Sequence, residues 1–407
     1  MSMSRSSDHL NWSILLFALN LVLSLTFCFV ISPRLMDSGV TLLDPDGYGR
    51  AGQVWYETGR FDSIEKAPLY PAFVALVANL AGGYHIWAVQ AAQCLLAAST
   101  CVLLYAIFHR TLGEQPARWA GLACALYPMV IWYTPRLWTE VFLTFVVAGF
   151  VLALVELLRC PTDWRALLCG ALAGIAALSK GIALIFVCLV PLVLVFRFRR
   201  EAWRWLLLFA LTATMLIGVW TWRNWRLTGQ FLPIHANSGY NFHLGNGFVR
   251  HWSQAPLSYA ELKSRTVKDR QALYASLGID PPTDPLTADD VLLRAALRDL
   301  RAKPSLIFQK LAIQSLTFWY LAADAPKSLL TGTLQFPIVL TALLGAIRAL
   351  RRRSWVLVLT VPVLGIMGVS VVIFAFARLS VTIMPYLIGL AVYGFWPERQ
   401  MIQALKN

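Results

Sequence analysis

Residues 12–31 read WSILLFALNLVLSLTFCFVI, and residues 43–48, soon after them, read LDPDGY. A run of roughly 20 apolar residues is long enough to cross the hydrocarbon core of a bilayer as a helix. Asp44 and Asp46 therefore stand just outside the first predicted span. Carboxylates are costly to hold beside hydrocarbon and tend to be kept there for function. The two stretches together predict a membrane protein that does chemistry at a membrane surface.

The composition agrees with this prediction. The chain of 407 residues is 58% hydrophobic and 14% charged, and its mean hydropathy is +0.61. Ordinary soluble domains are far less apolar. The first apolar run is flanked by Arg5 and lacks a small-residue cleavage site, so we interpret it as a retained helix and not as a cleaved signal peptide. We predict an all-α polytopic membrane protein.

Apolar stretches near span length recur along the chain. About ten are expected to be transmembrane helices, namely residues 12–31, 86–108, 119–133, 138–158, 166–178, 182–196, 205–222, 330–349, 355–376 and 379–395. Residues 68–80 and 305–321 are short or carry polar side chains, and we interpret them as helices lying along the outer surface. The predicted fold is a bundle of about 10–12 transmembrane helices with outer juxtamembrane helices.

The basic residues predict the orientation of the bundle. Most of the net charge of +14 lies in short loops between spans, a pattern typical of cytoplasmic loops and not of a nucleic-acid-binding face. Residues 33–85 then form a first outer loop with the acidic motif and juxtamembrane helices, and residues 223–305 form a long, partly helical outer loop. We expect residues 1–407 to form a single membrane domain with no soluble C-terminal domain.

The long outer loop contains local signals of its own. The sequence TADD at residues 287–290 resembles a capping box that starts a helix ending near Lys303, and residues 258–277 are also compatible with a helix. Residues 237–241 (NSGYN) and 245–247 (GNG) resemble tight polar turns. These turns could line an outward cavity, which would make Asn241 and Asn246 substrate ligands, or could simply be well-turned loops.

The acids each have a structural and a functional interpretation. Asp44 and Asp46 could cap a short helix that runs from Gly47 through Glu57, or one of them could serve as a general base. Glu140 lies about one turn inside an apolar run, where an unpaired carboxylate costs several kcal/mol. Packing does not explain an acid at that place, so we favour a functional role for Glu140.

The isolated basic residues are ambiguous in the same way. Glu65 and Lys66 read most simply as a surface ion pair, although Lys66 could hold a phosphate that Glu65 orients. Lys180 and Arg378 stand at the outward ends of spans, where basic side chains usually anchor the helix at the interface; binding a lipid phosphate is the alternative. No nucleotide-binding loop, serine-hydrolase elbow, disulfide framework or metal-ligand spacing occurs in the sequence.

In their order along the chain, these motifs resemble those of the GT-C membrane glycosyltransferases, in the branch of the protein O-mannosyltransferases and the lipid A aminoarabinose transferase. The matching features are an acid four residues before Tyr48, KAPLYP at 66–71, PRLWTE at 135–140, Arg223-Asn224, the glycines and asparagines of 239–246, and Ala377-Arg378. Pro45 stands where the family often has a second acid. We expect no soluble outer domain of the kind that some members carry, and we therefore expect the outer loops, chiefly 223–303, to recognise the acceptor.

The resemblance implies that the predicted helical bundle is of the GT-C type. It also implies transfer of a sugar from a polyprenyl-phosphate donor to an acceptor hydroxyl, with inversion. Asp44 is then the expected base with Asp46 as the alternative, and Glu140 a further catalytic acid. The expected ligands of the donor phosphate are Lys66, Lys180 and Arg378, and those of the substrate or acceptor are Tyr48, Glu65, Asn241 and Asn246. No cofactor is required, although a divalent cation could bind near the acids.

The expected partners are the lipid-linked donor, a glycan, lipid or protein acceptor, and membrane lipids, with no nucleic acid. The expected place is a bacterial inner membrane with the site on its periplasmic or extracellular face. Two other functions stay open. A secondary transporter or flippase predicts charges near mid-bilayer and a repeated half, neither of which is evident. A surface polysaccharide polymerase or ligase would use the same lipid-linked chemistry.

Overall fold

The chain is helical throughout its described part. The computed structural model describes residues 2–35, 43–278 and 285–396, and it contains no β-strand within these ranges. The predicted all-α class is confirmed. The helices are α1 (Ser2–Thr26), α2 (Ser32–Leu35), α3 (Tyr48–Thr58), α4 (Leu69–Leu80), α5 (Ile86–Leu112), α6 (Glu114–Ala125), α7 (Pro128–Tyr133), α8 (Thr139–Arg159), α9 (Asp163–Ser179), α10 (Ile185–Phe198), α11 (Trp203–Thr228), α12 (Ser238–His251), α13 (Tyr259–Ser276), α14 (Pro285–Ala302), α15 (Ser305–Tyr320), α16 (Ala325–Arg351), α17 (Thr360–Ile373) and α18 (Met384–Phe395).

Six helical stretches of the described residues are long and apolar enough to cross a membrane: Asp8–Leu35, Ile86–Leu112, Thr139–Arg159, Gly181–Thr228, Ala325–Arg351 and Trp355–Ile373. Helix α11 carries a stripe of exposed apolar side chains along one face, with Leu207 62%, Leu211 59%, Met215 67% and Val219 63% exposed. Such a stripe is stable against lipid and not against water. The chain is therefore an integral, multi-pass membrane protein.

Two predicted spans differ from the observed helices. Residues 119–133 form two helices, α6 and α7, because Pro128 has no amide hydrogen to continue the first and instead stands at the start of the second. Residues 379–395 form a 3₁₀ turn, Ala377–Ser380, and then the 12-residue helix α18. Arg378 lies in this 3₁₀ turn, between the apolar helices α17 and α18.

The outer helices follow the predicted pattern with shifted boundaries. Helix α13 agrees with the expected helix, and Ser258 caps it by accepting a hydrogen bond from the amide of Glu261 at 3.2 Å. Helix α14 is already helical at Pro285, before the capping box predicted at residue 287. The carboxylate of Asp289 is used elsewhere: its Oδ1 accepts the amide of Tyr240 at 2.8 Å, at the start of α12.

The two turns predicted at residues 237–241 and 245–247 are wrong, because Ser238–His251 is a single helix. Its glycines allow close approach of other backbones and do not make turns. A Cβ on Gly245 would lie 2.0 Å from the carbonyl oxygen of Ile373. Likewise, the outer loop predicted to begin at residue 223 begins later, since α11 continues to Thr228.

The core of the bundle positions the site. Helix α8 packs between α5 and α9, and Phe150 on α8 stacks on Phe186 of α10 with ring centroids 4.7 Å apart. The start of α8, the end of α9 and the Ala377–Ser380 turn meet at one end of these helices. The charged residues described next lie at this end.

Candidate active site

The turn before α3 holds Asp44 against the first turn of that helix. The amide of Gly47 donates to the carbonyl oxygen of Asp44 at 3.1 Å, and Gly47 has a φ of +66°, which glycine adopts without steric cost. The amide of Arg50 donates to Oδ2 of Asp44 at 2.8 Å. The capping interpretation is confirmed for Asp44. Its other oxygen, Oδ1, is nevertheless buried and has no hydrogen-bond partner among the described residues.

Asp46 belongs to a chain of four charged side chains. Nη1 of Arg378 donates to Oδ2 of Asp46 at 2.5 Å, and Nε of Arg378 donates to Oε1 of Glu140 at 2.7 Å. Nζ of Lys180 donates to the same oxygen of Glu140 at 2.6 Å. We call Asp46, Arg378, Glu140 and Lys180 the charge network. Glu140 is only 1% exposed, and its two cations supply the compensation that a buried charge requires.

Distant parts of the sequence supply the charge network. Asp46 precedes α3, Glu140 lies in the first turn of α8, and Lys180 follows α9. Arg378 is 332 residues from Asp46 and 238 from Glu140. The ring of Trp138, 3.9 Å from the guanidinium carbon of Arg378, supports this arginine from one side. Lys180 and Arg378 are therefore not simple interface anchors, because both are bound to Glu140.

The two aspartates differ in their electrostatic surroundings. Burial raises the pKa of Asp44, although backbone amides at residues 48–50 oppose the rise. Burial also acts to raise the pKa of Asp46, but Arg378 outweighs it, helped by Lys180 and Lys263, and the pKa lies below its ordinary value. A carboxylate with a raised pKa takes up a proton more readily than one held in an ion pair. The difference favours Asp44 over Asp46 as a base.

Lys66 lies beside the same turn. Its Nζ is 5.6 Å from the ring centroid of Tyr48, and a Cβ on Gly47 would lie 3.8 Å from it. Within the described ranges Lys66 forms no ion pair, so the surface pair expected with Glu65 is not formed; Glu65 is exposed. Lys66 thus brings an uncompensated positive charge next to the motif that contains Asp44.

Two residues that the sequence did not single out also face this region. A Cβ on Gly181 would lie 2.9 Å from Nε2 of His235, which puts the imidazole next to Lys180. Burial lowers the pKa of His235 to about 4, and Lys180 and Lys66 act in the same direction against Asp289. Lys263 on α13 is near enough to help lower the pKa of Asp46. No pattern marks either residue, because their position depends on how the outer helices fold back.

Asn241 and Asn246 do not join the charge network through their amide groups. Nδ2 of Asn241 donates to the carbonyl of Asn237 at 2.8 Å, one turn back in its own helix. Asn246 is fully buried; its Nδ2 donates to the carbonyl of Ala296 at 3.0 Å and its Oδ1 accepts from Nζ of Lys310 at 2.8 Å. The substrate contact predicted for Asn246 therefore has no support in its surroundings.

Lys310 is the centre of this second polar group. Its side chain is 3% exposed, and its Nζ lies 3.8 Å from the ring centroid of Phe242. Burial lowers the pKa of Lys310 to about 7. No carboxylate among the described residues forms an ion pair with it. We call Lys310, Asn246 and Phe242 the Lys310 cluster.

Arg223 has a structural role. Its guanidinium donates to the carbonyl oxygens of Phe61 and Ser63, and the amide of Ala236 donates to the carbonyl of Ile64 at 2.7 Å. These bonds tie the first outer loop, just before Lys66, to the end of α11 and the segment that carries His235. The Arg-Asn motif thus fixes the relative position of two parts of the site.

In the part of the chain that the structure describes, no group of three or more His, Cys, Asp or Glu side chains could hold a metal ion. The oxygen atoms Oδ2 of Asp46 and Oε1 of Glu140 face cationic side chains instead. The binding of a divalent cation stays a prediction.

Part of the sequence matches a known protein family. Residues 65–225 match the family model of dolichyl-phosphate-mannose-protein mannosyltransferases. This segment includes Lys66, Glu140 and Lys180. No curated protein matches the sequence.

The fold is similar to that of solved membrane enzymes. The apo oligosaccharyltransferase of Archaeoglobus fulgidus is 12% identical, with a TM-score of 0.58, over 97% of this chain and 52% of that one. Its complex with an inhibitory peptide and a dolichol-phosphate gives 12% identity and a TM-score of 0.59 over the same shares. ArnT from Cupriavidus metallidurans, bound to undecaprenyl phosphate, matches more loosely: 17% identity and a TM-score of 0.42 over 94% of this chain and 76% of that one.

The chain spans about half the length of the oligosaccharyltransferase structures that it matches. At 12% identity the likeness to them establishes a shared fold. The match of residues 65–225 to the mannosyltransferase family model and the shared all-α membrane fold together confirm the resemblance noted in the sequence.

Proposed function

We propose that the protein is an inverting glycosyltransferase. It moves a sugar from a polyprenyl-phosphate donor to a hydroxyl group of a glycan, lipid or protein acceptor, at the periplasmic or extracellular face of a bacterial inner membrane. The match to a mannosyltransferase family whose donor is a dolichyl-phosphate sugar supports the donor class. The positive-inside pattern of the loops supports the face.

One observation carries the proposal: in the described part of the chain, a turn that contains an unpaired carboxylate oxygen lies against a lysine without an ion pair, beside the charge network. Oδ1 of Asp44 has no partner among the described residues, and Lys66 lies against Gly47 of the same turn. A transfer from a lipid phosphate needs both a base for the acceptor and a cation for the leaving group. The capping bond of Asp44 uses only Oδ2, which leaves Oδ1 free for an acceptor hydroxyl.

In this proposal Asp44 removes the proton from the acceptor hydroxyl as its oxygen attacks the anomeric carbon. The bond from that carbon to the phosphate oxygen breaks on the opposite side, through an oxocarbenium-like transition state, which inverts the configuration. The electron pair leaves with the polyprenyl phosphate. Lys66 is the first cation available to the phosphate, because Arg378 is already shared between Asp46 and Glu140.

Glu140 then has a different role from Asp44. Its Oε1 holds Arg378 and Lys180, which keeps both cations in place beside the donor. Its Oε2 is buried without a partner in the described part of the chain and can accept a hydrogen bond from a sugar hydroxyl. We therefore assign Glu140 to positioning, with Asp44 as the base.

The base assignment is tested by Asp44→Asn in purified, reconstituted protein. We expect transfer to fall by about 10²–10⁴-fold, as for the loss of a general base, with unchanged expression and thermal stability. Asp46→Asn is the matched control, since it changes an acid two residues away that acts through Arg378, and its loss should be smaller. Full activity of Asp44→Asn sinks the assignment, and a larger loss in Asp46→Asn transfers the role to that residue.

The reaction itself is tested in cells with and without the gene by mass spectrometry of lipid-linked sugars and surface glycans. An accumulated polyprenyl-phosphate sugar in the deletion strain, with a glycan that lacks that sugar, is the expected result and identifies donor and acceptor. Unchanged glycans together with altered uptake of a solute would reject the transferase and favour a transporter. Shortened polysaccharide chains in place of a missing single sugar would favour a polymerase.

A further inference from the structure

A cavity lies at the opposite end of the helices that carry the charge network. It has a volume of about 600 Å³ and lies between the second half of α10 and residues 353–364, which include the start of α17. Its walls are mainly apolar side chains, among them Leu189, Val193, Val361 and Leu364. Leu364 is 66% exposed to the outside of the bundle, so the cavity opens sideways where lipid surrounds the protein.

The cavity is remote from the candidate active site. Lys180 directly precedes the first turn before α10, and Arg197 lies in its last turn. The 14 residues of α10 span about 21 Å at 1.5 Å per residue. Helix α17 runs the other way, from the cavity at Thr360 toward the turn that holds Arg378. The cavity is thus a separate site at the other membrane interface.

Two arginines form the polar end of this cavity. Arg197 and Arg353 both line it, and both are exposed. The guanidinium carbon of Arg197 lies 4.9 Å from the ring centroid of Trp355, which holds the side chain near the opening. Arg353 has a φ of +49°, a left-handed conformation that is uncommon for a residue other than glycine. Within the described residues neither arginine forms an ion pair with a carboxylate.

We propose that this cavity binds one anionic phospholipid. The phosphate of the headgroup lies between Arg197 and Arg353, and an acyl chain fills the apolar part beside Val193 and Leu364. Guanidinium groups bind phosphate oxygens through paired hydrogen bonds, and basic pockets between transmembrane helices at the cytoplasmic interface bind anionic headgroups. A zwitterionic lipid carries a positive group of its own, which the two arginines repel, so its binding is weaker.

The charge and the shape of the cavity together determine which ligand fits it. A soluble anion would satisfy the two arginines but leave the apolar walls uncovered, and a neutral lipid would cover the walls but leave both charges unpaired. A lipid with a net negative headgroup and an acyl chain matches both halves of the cavity. This inference does not depend on the transferase reaction, because it concerns different residues at the other end of the bundle.

The experiment measures lipid retention by native mass spectrometry of the full-length protein, with phosphatidylglycerol and phosphatidylcholine of identical chains added in detergent. We expect one phosphatidylglycerol to bind with preference over phosphatidylcholine. Arg197→Ala/Arg353→Ala should weaken its binding about thirtyfold, because each arginine is expected to contribute about fivefold. Arg226→Ala is the matched control, since Arg226 is an exposed arginine that stacks on Trp222 in α11, away from the cavity.

A second variant separates the lipid from a free phosphate. Val193→Trp fills the apolar part of the cavity and keeps both arginines, so it should also reduce phosphatidylglycerol binding. Addition of glycerol 3-phosphate should not displace the bound lipid. The proposal would be overturned by equal binding of the two lipids or by full binding in the double arginine variant. It would also be overturned if glycerol 3-phosphate displaced the lipid and Val193→Trp had no effect. A double variant that fails to fold leaves Val193→Trp and the lipid comparison as the deciding measurements.

Discussion

Two lysines of low exposure, Lys180 and Lys310, have opposite surroundings in this protein. Lys180 in the charge network donates to a carboxylate, that of Glu140, at 2.6 Å. In the Lys310 cluster, the ammonium of Lys310 meets an amide oxygen at 2.8 Å and an aromatic ring. Burial lowers the pKa of both, but only beside Lys180 does a carboxylate oppose the shift. A buried cation that is paired stays charged and can serve an anionic substrate, whereas an unpaired one is driven toward its neutral form.

The strongest test of this contrast is Glu140→Gln, which removes the buried counter-charge that Arg378 and Lys180 share. We expect the free energy of unfolding to fall by about 3–5 kcal/mol, as when one member of a buried ion pair is removed. Glu156→Gln is the matched control, because Glu156 pairs with Arg110 and Arg165 at the other end of the same helix but is 27% exposed. Denaturant unfolding of both variants measures the difference, and equal losses would contradict the role of burial.

The second test compares Lys180→Met with Lys310→Met. The first should reduce transfer by about 10²–10³-fold, the usual effect of removing one group that stabilises developing negative charge. The second should leave transfer nearly unchanged, because Lys310 touches no member of the charge network. Steady-state transfer rates of the reconstituted variants give both numbers. A comparable loss in Lys310→Met would mean that the two clusters are coupled.

The third test uses the pH dependence of stability. The pKa of Lys310 is about 7 in the folded protein and about 10.4 in an unfolded chain. Between these values the unfolded chain binds more protons, so stability should rise with pH, by at most about 1.4 kcal/mol per pH unit. Lys310→Met should remove this rise. Unfolding midpoints from pH 7 to 10 measure it, and identical slopes in the two proteins would reject the lowered pKa.

The smallest effect is expected for Glu65→Gln. Glu65 is exposed, and exposed charges typically contribute less than about 0.5 kcal/mol to stability. Both the unfolding free energy and the transfer rate should match those of the unchanged protein. A clear loss of transfer at unchanged stability would restore the acceptor-binding role that the sequence predicted for this residue.

The sequence predicted the structure best where the free-energy cost of misplacing one type of residue is high. The apolar runs required membrane helices, and an acid at position 140 within such a run required a partner. The identity of that partner could not be predicted, since Arg378 and Glu140 are 238 residues apart. Local patterns were less reliable where one residue type serves two purposes. Gly245 and its neighbours signal a turn and a close helix contact equally well, and only the position of Ile373 distinguishes them.

The span between Asp46 and Arg378 has a consequence for biosynthesis. The ribosome adds 5–20 residues per second, so the 332 residues that separate the two side chains take roughly 15–70 s to make. Asp46 is present throughout that time and Glu140 during the last 238 residues of it, while the arginine that joins them does not yet exist. A nascent chain therefore inserts the helices between Asp46 and Arg378 with an incomplete charge network, and the network forms only after Arg378 has been made.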